Sequence, residues 1–312
     1  MTPPSDFQPV CLVGAAGGFG RAFDEQLSAE GVTVHRVDTA PQTAPRTAPD
    51  ADVIHPERDP GRLSSAVAES RLILFCIDER SLIAALDGYV AAASPGTVLV
   101  DICSTKRRVT EAIATSTKGT GLHHLSIHPM FAPSPFAPSQ SFAGKNVVWH
   151  TTTESPAASA FLDALGRWGA VLHELDPEAH DRAVVGTQVF AHAALMLFGL
   201  ANNRLDVSPE ARRAVETPNA RLLAALTARQ ADCDPELYLS IQRSADERDR
   251  RVLERALTDL LAAVRAGDAA GFAELFGASQ RWLGPEAGPA RELAQDVIDR
   301  LPPLGEPEET PR

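Results

Sequence analysis

Apolar positions along the chain fall into two regimes. Up to about residue 175, short apolar runs alternate with amphipathic stretches. The runs at 10–13, 32–37, 72–77, 98–102, 145–150 and 170–175, with the one ending at His128, are too short for helices. The unbroken ones, such as Leu72-Ile73-Leu74-Phe75-Cys76-Ile77, read as strands buried on both faces. Helical periodicity follows the first run, recurs at 81–93 and 107–116, and starts again near Ser155-Pro156. Residues 39–61, rich in Pro, Thr, Ala and Asp, read as a loop with at most a short strand at 52–54. Strand alternating with helix predicts an α/β fold with a mainly parallel, doubly wound sheet of Rossmann type. From Pro177 onward only helical stretches remain, at 178–202, 209–230, 235–266, 269–283 and 288–300. The expected organisation is a dinucleotide-binding domain at 1–176, an all-α domain at 177–302 and a disordered tail at 303–312. Ala191, Ala193, Ala194 and Leu195 make the first long helix apolar nearly all round, which predicts a buried helix between subunits.

The first strand runs into Gly14-Ala15-Ala16-Gly17-Gly18-Phe19-Gly20 and then an amphipathic helix. Glycines there permit a tight turn and bring a pyrophosphate close to the amides that open the helix. The second strand ends at Asp38, at the distance where a carboxylate accepts hydrogen bonds from the ribose hydroxyls of NAD and repels a 2′-phosphate. Strand, glycines, helix and acid together make Gly14, Gly17, Gly18, Phe19, Gly20 and Asp38 the expected cofactor site. A glycine turn without a ligand is the plainer alternative.

Ser126-Ile127-His128-Pro129-Met130-Phe131 ends a second informative run. Proline after His128 holds it extended and bars a helix, so an imidazole stands at a strand's carboxyl end, where open α/β sheets place their chemistry. Cys103-Ser104-Thr105-Lys106 occupies the same kind of position after the run at 98–102. On local pattern alone, His128 serves equally well as a residue that finishes a strand.

Composition narrows the partners. A formal net charge of -12 argues against nucleic acid and anionic membranes, but leaves room for a small anion met by converging arginines. The four cysteines lack metal-type spacing and fit buried thiols in a reducing compartment; no metal is expected. The N-terminus reads without a basic leader, and no run approaches the ~18 apolar residues of a membrane span, so a cytoplasmic protein is expected.

The chain resembles the prephenate dehydrogenase family over nearly all its length. The resemblance rests on VGAAGGFGRAF, LVDICSTK, IHPMFAPS, KNVVWH, WGAVLHEL, AHDRAVVGTQVFAH and ARQADCDPELY, in that order. It is nearer the branch usually fused to chorismate mutase, although here the cofactor strand starts at residue 10 with no mutase domain ahead. The resemblance implies NAD-dependent oxidative decarboxylation of a cyclohexadienyl acid. Hydride leaves the ring carbon bearing the hydroxyl or amino group, a base takes that group's proton, and CO2 departs as the ring aromatises. By position, His128 matches the catalytic base and Ser104 the residue that hydrogen-bonds it and the substrate. Lys106 matches a lysine near substrate and cofactor; its alternative is a solvated charge at a helix start. Arg229 matches the arginine that pairs with a substrate carboxylate, against the alternative of one exposed arginine among many. Gln188 and His192, one turn apart, and Tyr238 match positions lining the cleft, or are satisfied core polars. His180 and His150 read as structural. A homodimer through the helical domain is implied as well.

Several positions depart from the family pattern. Ala132 replaces a glycine, Ser134 an aspartate and Asp78 a proline, while Ala15 occupies a frequent glycine position. The Ala132 methyl, close to the base, bears on which ring substituent is accepted. Two substrates fit best, 4-amino-4-deoxyprephenate and prephenate, with the amino compound favoured and arogenate third. An amine lone pair assists hydride departure, so His128 should matter less to that substrate. A non-catalytic NAD-binding sensor is the alternative of another class; joint retention of His128, Ser104 and Arg229 speaks against it. A hydroxyacid dehydrogenase would use a lysine in the first long helix, and no lysine follows Lys145.

Overall fold

The computed structural model describes residues 6–39, 53–133, 141–233 and 235–301. Ser134, Pro135, most of the loop expected at 39–61 and the tail expected at 303–312 lie outside them. The described chain divides into two compact units, one through Val184 and one from Val185.

In the first unit, β1 (Val10–Val13), β2 (Val34–Val37), β3 (Val53–Ile54), β4 (Leu72–Phe75), β5 (Val98–Asp101), β6 (His123–Pro129), β7 (Asn146–Thr151) and β8 (Val171–Glu174) form one sheet. Its order is β3-β2-β1-β4-β5-β6-β7-β8. Only the β6–β7 pairing is antiparallel. The first six strands follow the order of a dinucleotide-binding sheet, whose connections reverse direction between β1 and β4. Both faces are covered, so the strands are apolar throughout. Val10, Leu12, Leu72, Leu74, Val98 and Val100 pack on one side with Phe23, Phe142, Phe161 and Trp168. The alternate residues Cys11, Val13, Ile73, Phe75 and Leu99 pack on the other with Leu82, Leu86, Val109 and Ile113.

Helices α1 (Gly18–Ala29), α2 (Pro60–Glu69), α3 (Glu79–Ala92), α4 (Arg107–Ser116) and α5 (Pro156–Arg167) connect the strands. Asp59-Pro60 opens α2, a helix the sequence pattern did not suggest. Asp78, a departure from the family pattern, is the N-cap of α3 and accepts from the Ser81 amide at 2.9 Å. The unit extends past the expected boundary at 176 because α6 (Pro177–Val184) packs on α4.

The second unit begins with a π-helical turn, Val185–Val189, followed by α7 (Phe190–Arg204). Then come α8 (Pro209–Ala214), α9 (Pro218–Ala231), α10 (Pro235–Ser244), α11 (Glu247–Ala266), α12 (Ala269–Leu283) and α13 (Ala287–Asp299). Two expected helices are each broken in two. Thr217 caps α9 ahead of Pro218, and Asp246 caps α11, so in each case an N-cap restarts the helix. One other expectation needs correction. The helical stretch Pro177–Arg204 is long and apolar enough, by length and composition, to cross a membrane. It passes because alanines and leucines occupy every face of α7. In the single chain α7 has no buried residue.

Candidate active site

Gly14 follows β1 with φ +83°, and a Cβ there would lie 2.5 Å from the Cys76 carbonyl oxygen. A Cβ on Gly20 would overlap the Gly14 carbonyl oxygen and come within 2.8 Å of Ala15 Cα. One on Gly17 would crowd the Gly14 oxygen at 3.3 Å. These three glycines let the turn fold back on itself. Gly17 is the N-cap of α1 and has no side chain to meet the opening amides. Those amides face a cradle that side chains would fill, the arrangement a dinucleotide pyrophosphate requires. Asp38 Oδ2 accepts from Ala16 N at 2.7 Å and so ties the end of β2 to this turn. The Phe19 ring packs edge-on against Phe131, centroids 5.6 Å apart. Pro133 Cγ also lies over Gly18, 3.3 Å from where a Cβ would stand. The loop after His128 is thereby packed on the glycine turn.

Beside it, a buried ionic frame forms around Asp101, the last residue of β5. Asp101 Oδ1 accepts from Lys106 Nζ at 2.8 Å and from Cys103 N at 3.0 Å, and Oδ2 meets His124 Nε2 at 2.9 Å. Lys106 Nζ also donates to the Ile127 carbonyl. Burial would raise the Asp101 carboxyl, but the Lys106 ammonium and His124 outweigh it and hold the group far below the usual carboxylate range. The expected place of Lys106 beside a substrate is therefore corrected. Its side chain is 3% exposed, pointed into the fold and paired. Thr105 Oγ1 donates to Glu79 Oε2 at 2.6 Å, which fixes the same turn from outside. Ser104, at the crest, remains half-buried.

His128 is 5% exposed near the end of β6. Its Nδ1 lies 2.9 Å from Nε2 of His180, and His180 Nδ1 lies 2.8 Å from Asp181 Oδ1. Asp181 accepts in addition from the amides of Lys106 at 2.7 Å and Arg107 at 3.0 Å, so it holds the start of α4. The expected hydrogen bond from Ser104 to His128 is absent among the described residues. His180, set aside from sequence as structural, is the partner instead. Burial, then the Lys106 ammonium, then His180 push the His128 imidazole well below its ordinary 6.5. Near neutral pH it is an uncharged base. The histidine–aspartate pair at 180–181 sits between Glu178 and Arg182 in a charged helix start, so nothing local singles it out.

In the second unit, His192 and Tyr238 stack edge-on with centroids 4.8 Å apart. His192 Nδ1 is buried with no hydrogen-bond partner among the described residues. Gln188 falls in the π-helical turn, a distortion frequent at functional sites. Arg229 is exposed on the last turn of α9, next to Gln230, whose side-chain amide donates to the His192 carbonyl at 3.3 Å. The phenol of Tyr238 is raised by burial and by Cys233, against the pull of the Arg229 guanidinium. Thus His192, Tyr238 and Arg229 are neighbours. Among the described residues no cluster of His, Cys, Asp and Glu could hold a metal ion.

No family model matches the chain. It is 31% identical over 305 residues to 4-amino-4-deoxyprephenate dehydrogenase of Streptomyces pristinaespiralis, covering 96% of this chain and 100% of that protein. The chain belongs to the prephenate dehydrogenase family. The T-protein of Enterobacter agglomerans is 26% identical over 95% of this chain and 74% of its own. Prephenate dehydrogenase of Aquifex aeolicus, solved with hydroxyphenyl propionate and NAD+, shares the fold at TM-score 0.69. That match has 15% identity and covers 87% of this chain and 95% of the other. Arogenate dehydrogenase of Synechocystis follows at TM-score 0.56 and 16% identity, over 93% and 99% of the two chains. Membership of the family makes this chain a prephenate-type dehydrogenase.

Proposed function

We propose that the chain catalyses NAD-dependent oxidative decarboxylation of a cyclohexadienyl acid, and that it prefers 4-amino-4-deoxyprephenate to prephenate, yielding 4-aminophenylpyruvate and CO2. The observation that carries the preference is the end-to-end match, at 31% identity, to the Streptomyces pristinaespiralis enzyme of that name. The fold and the glycine cradle support the cofactor. Gly14, Gly17, Gly18 and Gly20 would pass the backbone close to the pyrophosphate, and Asp38 would meet the ribose. Bound NAD supplies a two-electron acceptor for the hydride that leaves the ring.

The residues of this chain do the rest. His128, neutral and buried, takes a proton from the ring substituent as the ring loses hydride. The bond to the ring carboxylate then breaks, its electron pair completes the aromatic ring, and the proton held by His128 returns to the substituent. The low-dielectric position of His128 beside a fixed frame keeps the acceptor in place with little reorganisation. Ser104 offers a hydroxyl at the same sheet end. Arg229 would pair with a substrate carboxylate, for which a planar guanidinium is suited. His192, Gln188 and Tyr238 would line the cleft around the substrate; Lys106 supports the base from behind. The chain works as a homodimer through its helical unit, a reading supported by a line of exposed apolar residues on α11.

The test compares kcat/KM for the two acids from NADH formation, with His128→Asn alongside. Preference for the amino acid of about tenfold or more is expected, with a smaller loss in His128→Asn on that substrate, because the amine lone pair assists hydride departure. Preference for prephenate would assign the chain to tyrosine formation and overturn the substrate reading. Binding of NAD without turnover of either acid would overturn the enzyme reading.

A further inference from the structure

We propose that His180 and Asp181 are positioning residues that fix the tautomer of His128, placing its proton on Nδ1 and leaving Nε2 as the acceptor for the substrate's proton. The inference rests on His128 being the base. An ionised carboxylate only accepts hydrogen bonds, so at 2.8 Å from Asp181 Oδ1 the His180 Nδ1 must carry a hydrogen. Asp181 is held ionised. Burial opposes this, but the bond from His180 and the amides of Arg107 and Lys106 prevail. One hydrogen then lies between His180 Nε2 and His128 Nδ1, 2.9 Å apart. Were it on His180, that ring would be a buried imidazolium directly against His128, which already feels the Lys106 ammonium. The Asp181 carboxylate would have to balance that cation while also accepting from two amides at the start of α4. The neutral arrangement needs no such cation: His180 accepts and His128 donates from Nδ1. Each link has a fixed geometry. His180 is 2% exposed and His128 5%, and both lie on elements of the same compact unit.

The test uses the full chain with isotope-labelled histidine, reading the protonated ring nitrogen of His128 by nitrogen NMR, and steady-state kinetics beside it. Wild type should carry the proton on Nδ1. Asp181→Leu leaves His180 Nδ1 without its acceptor, so the His180 proton moves to Nε2, donates to His128 Nδ1 and drives the His128 proton to Nε2. Its kcat should fall about 100-fold with KM within about threefold. A wild-type proton on Nε2, or kcat in Asp181→Leu within about threefold of wild type, would overturn the proposal. A second comparison covers an Asp181→Leu chain that does not fold. In His180→Gln, the Oε1 atom can accept from His128 Nδ1 unaided, so kcat should stay within about tenfold, whereas His180→Leu should lose about 100-fold. Equal losses in these two variants would also overturn it. Should wild type oxidise neither cyclohexadienyl acid, the assignment of function fails, and the ring-nitrogen readout still decides the tautomer.

Discussion

Replacing Lys106 with methionine separates two roles that its position after β5 allows. A lysine facing the substrate would, on removal, raise KM and leave stability nearly unchanged. The structure leads to the opposite expectation. Lys106 Nζ and Asp101 Oδ1 are 2.8 Å apart with side chains 3% and 0% exposed, and Nζ also satisfies the Ile127 carbonyl. Methionine keeps the volume but leaves a buried carboxylate with only His124 and the Cys103 amide. Breaking a buried pair from one side costs roughly 3–5 kcal/mol. For a unit of this size that is a drop in Tm of roughly 10 °C. Asp101 makes the penalty pH-dependent. Its folded value is depressed, so its contribution is present above the unfolded value near 3.8 and lost as pH falls through the folded one. The gap between wild type and variant should therefore be widest above that window and narrow in acid. Adding Asp101→Asn should recover a large part of the loss, because the orphaned charge causes it. Kinetically, the ammonium helps burial hold His128 low. Without it the acid limb of kcat/KM should move to higher pH. Thermal unfolding across pH, with kcat/KM profiles, reads all of this. An unchanged Tm together with a KM about tenfold higher would refute the buried-pair account and restore Lys106 to the substrate.

Gly20→Ala should abolish NAD binding or prevent folding of the first unit, since its Cβ would collide with the Gly14 carbonyl oxygen and lie 2.8 Å from Ala15 Cα; near-normal NAD affinity by fluorescence titration would contradict the cradle. His128 is depressed from 6.5 by burial, Lys106 and His180, against Asp101, so its contribution to stability is complete above that unfolded value and lost as pH falls towards the folded one. Wild type should lose up to about 1.4 kcal/mol per pH unit more than His128→Asn in that window, and parallel curves from chemical denaturation would count against a neutral buried imidazole. Leu253, Leu257, Leu260 and Val264 form one exposed face of α11, so Leu257→Glu with Leu260→Glu should shift the chain from dimer to monomer in sedimentation; a wild type that sediments at 33.2 kDa would remove the basis for an interface there.

Strands and cofactor turn were legible because their signals are local. A short unbroken apolar run fits a strand covered on both faces. Gly14 is held by the distant Cys76 carbonyl oxygen and is legible only through the glycine spacing, whereas Gly20 answers to clashes with Gly14 and Ala15, a few residues away. His128 was legible for the same reason, as proline follows it directly. Its partner was not, since His180 is 52 positions away and meets it only once α6 has packed on α4. Lys106 misled for a related reason. In sequence it opens a polar helix start, and nothing local announces that Asp101 turns it inward. The breaks before Pro218 and Glu247 were a different failure. Thr217 and Asp246 are ordinary N-caps, but helical periodicity continues on both sides of them and hides the breaks.

The same arrangement explains why the ring substituent is harder to read than the reaction. A hydroxyl and an amine both donate a hydrogen, so a neutral imidazole whose Nε2 accepts meets either one equally well. Ser104, able to donate and to accept, discriminates no better. The two differ in what remains: the hydroxyl oxygen is still an acceptor, whereas the amine has a second hydrogen to give. Strong discrimination needs a buried group that one substrate satisfies and the other leaves unpaired. Neither the Asp101 frame nor the His180–Asp181 pair presents such a group, for both direct their polar atoms inward to each other. Those residues set when and where a proton is accepted. Which substituent gives it up must be decided by atoms facing Nε2, and Ala132, exposed in the loop after His128, is the place to begin substituting.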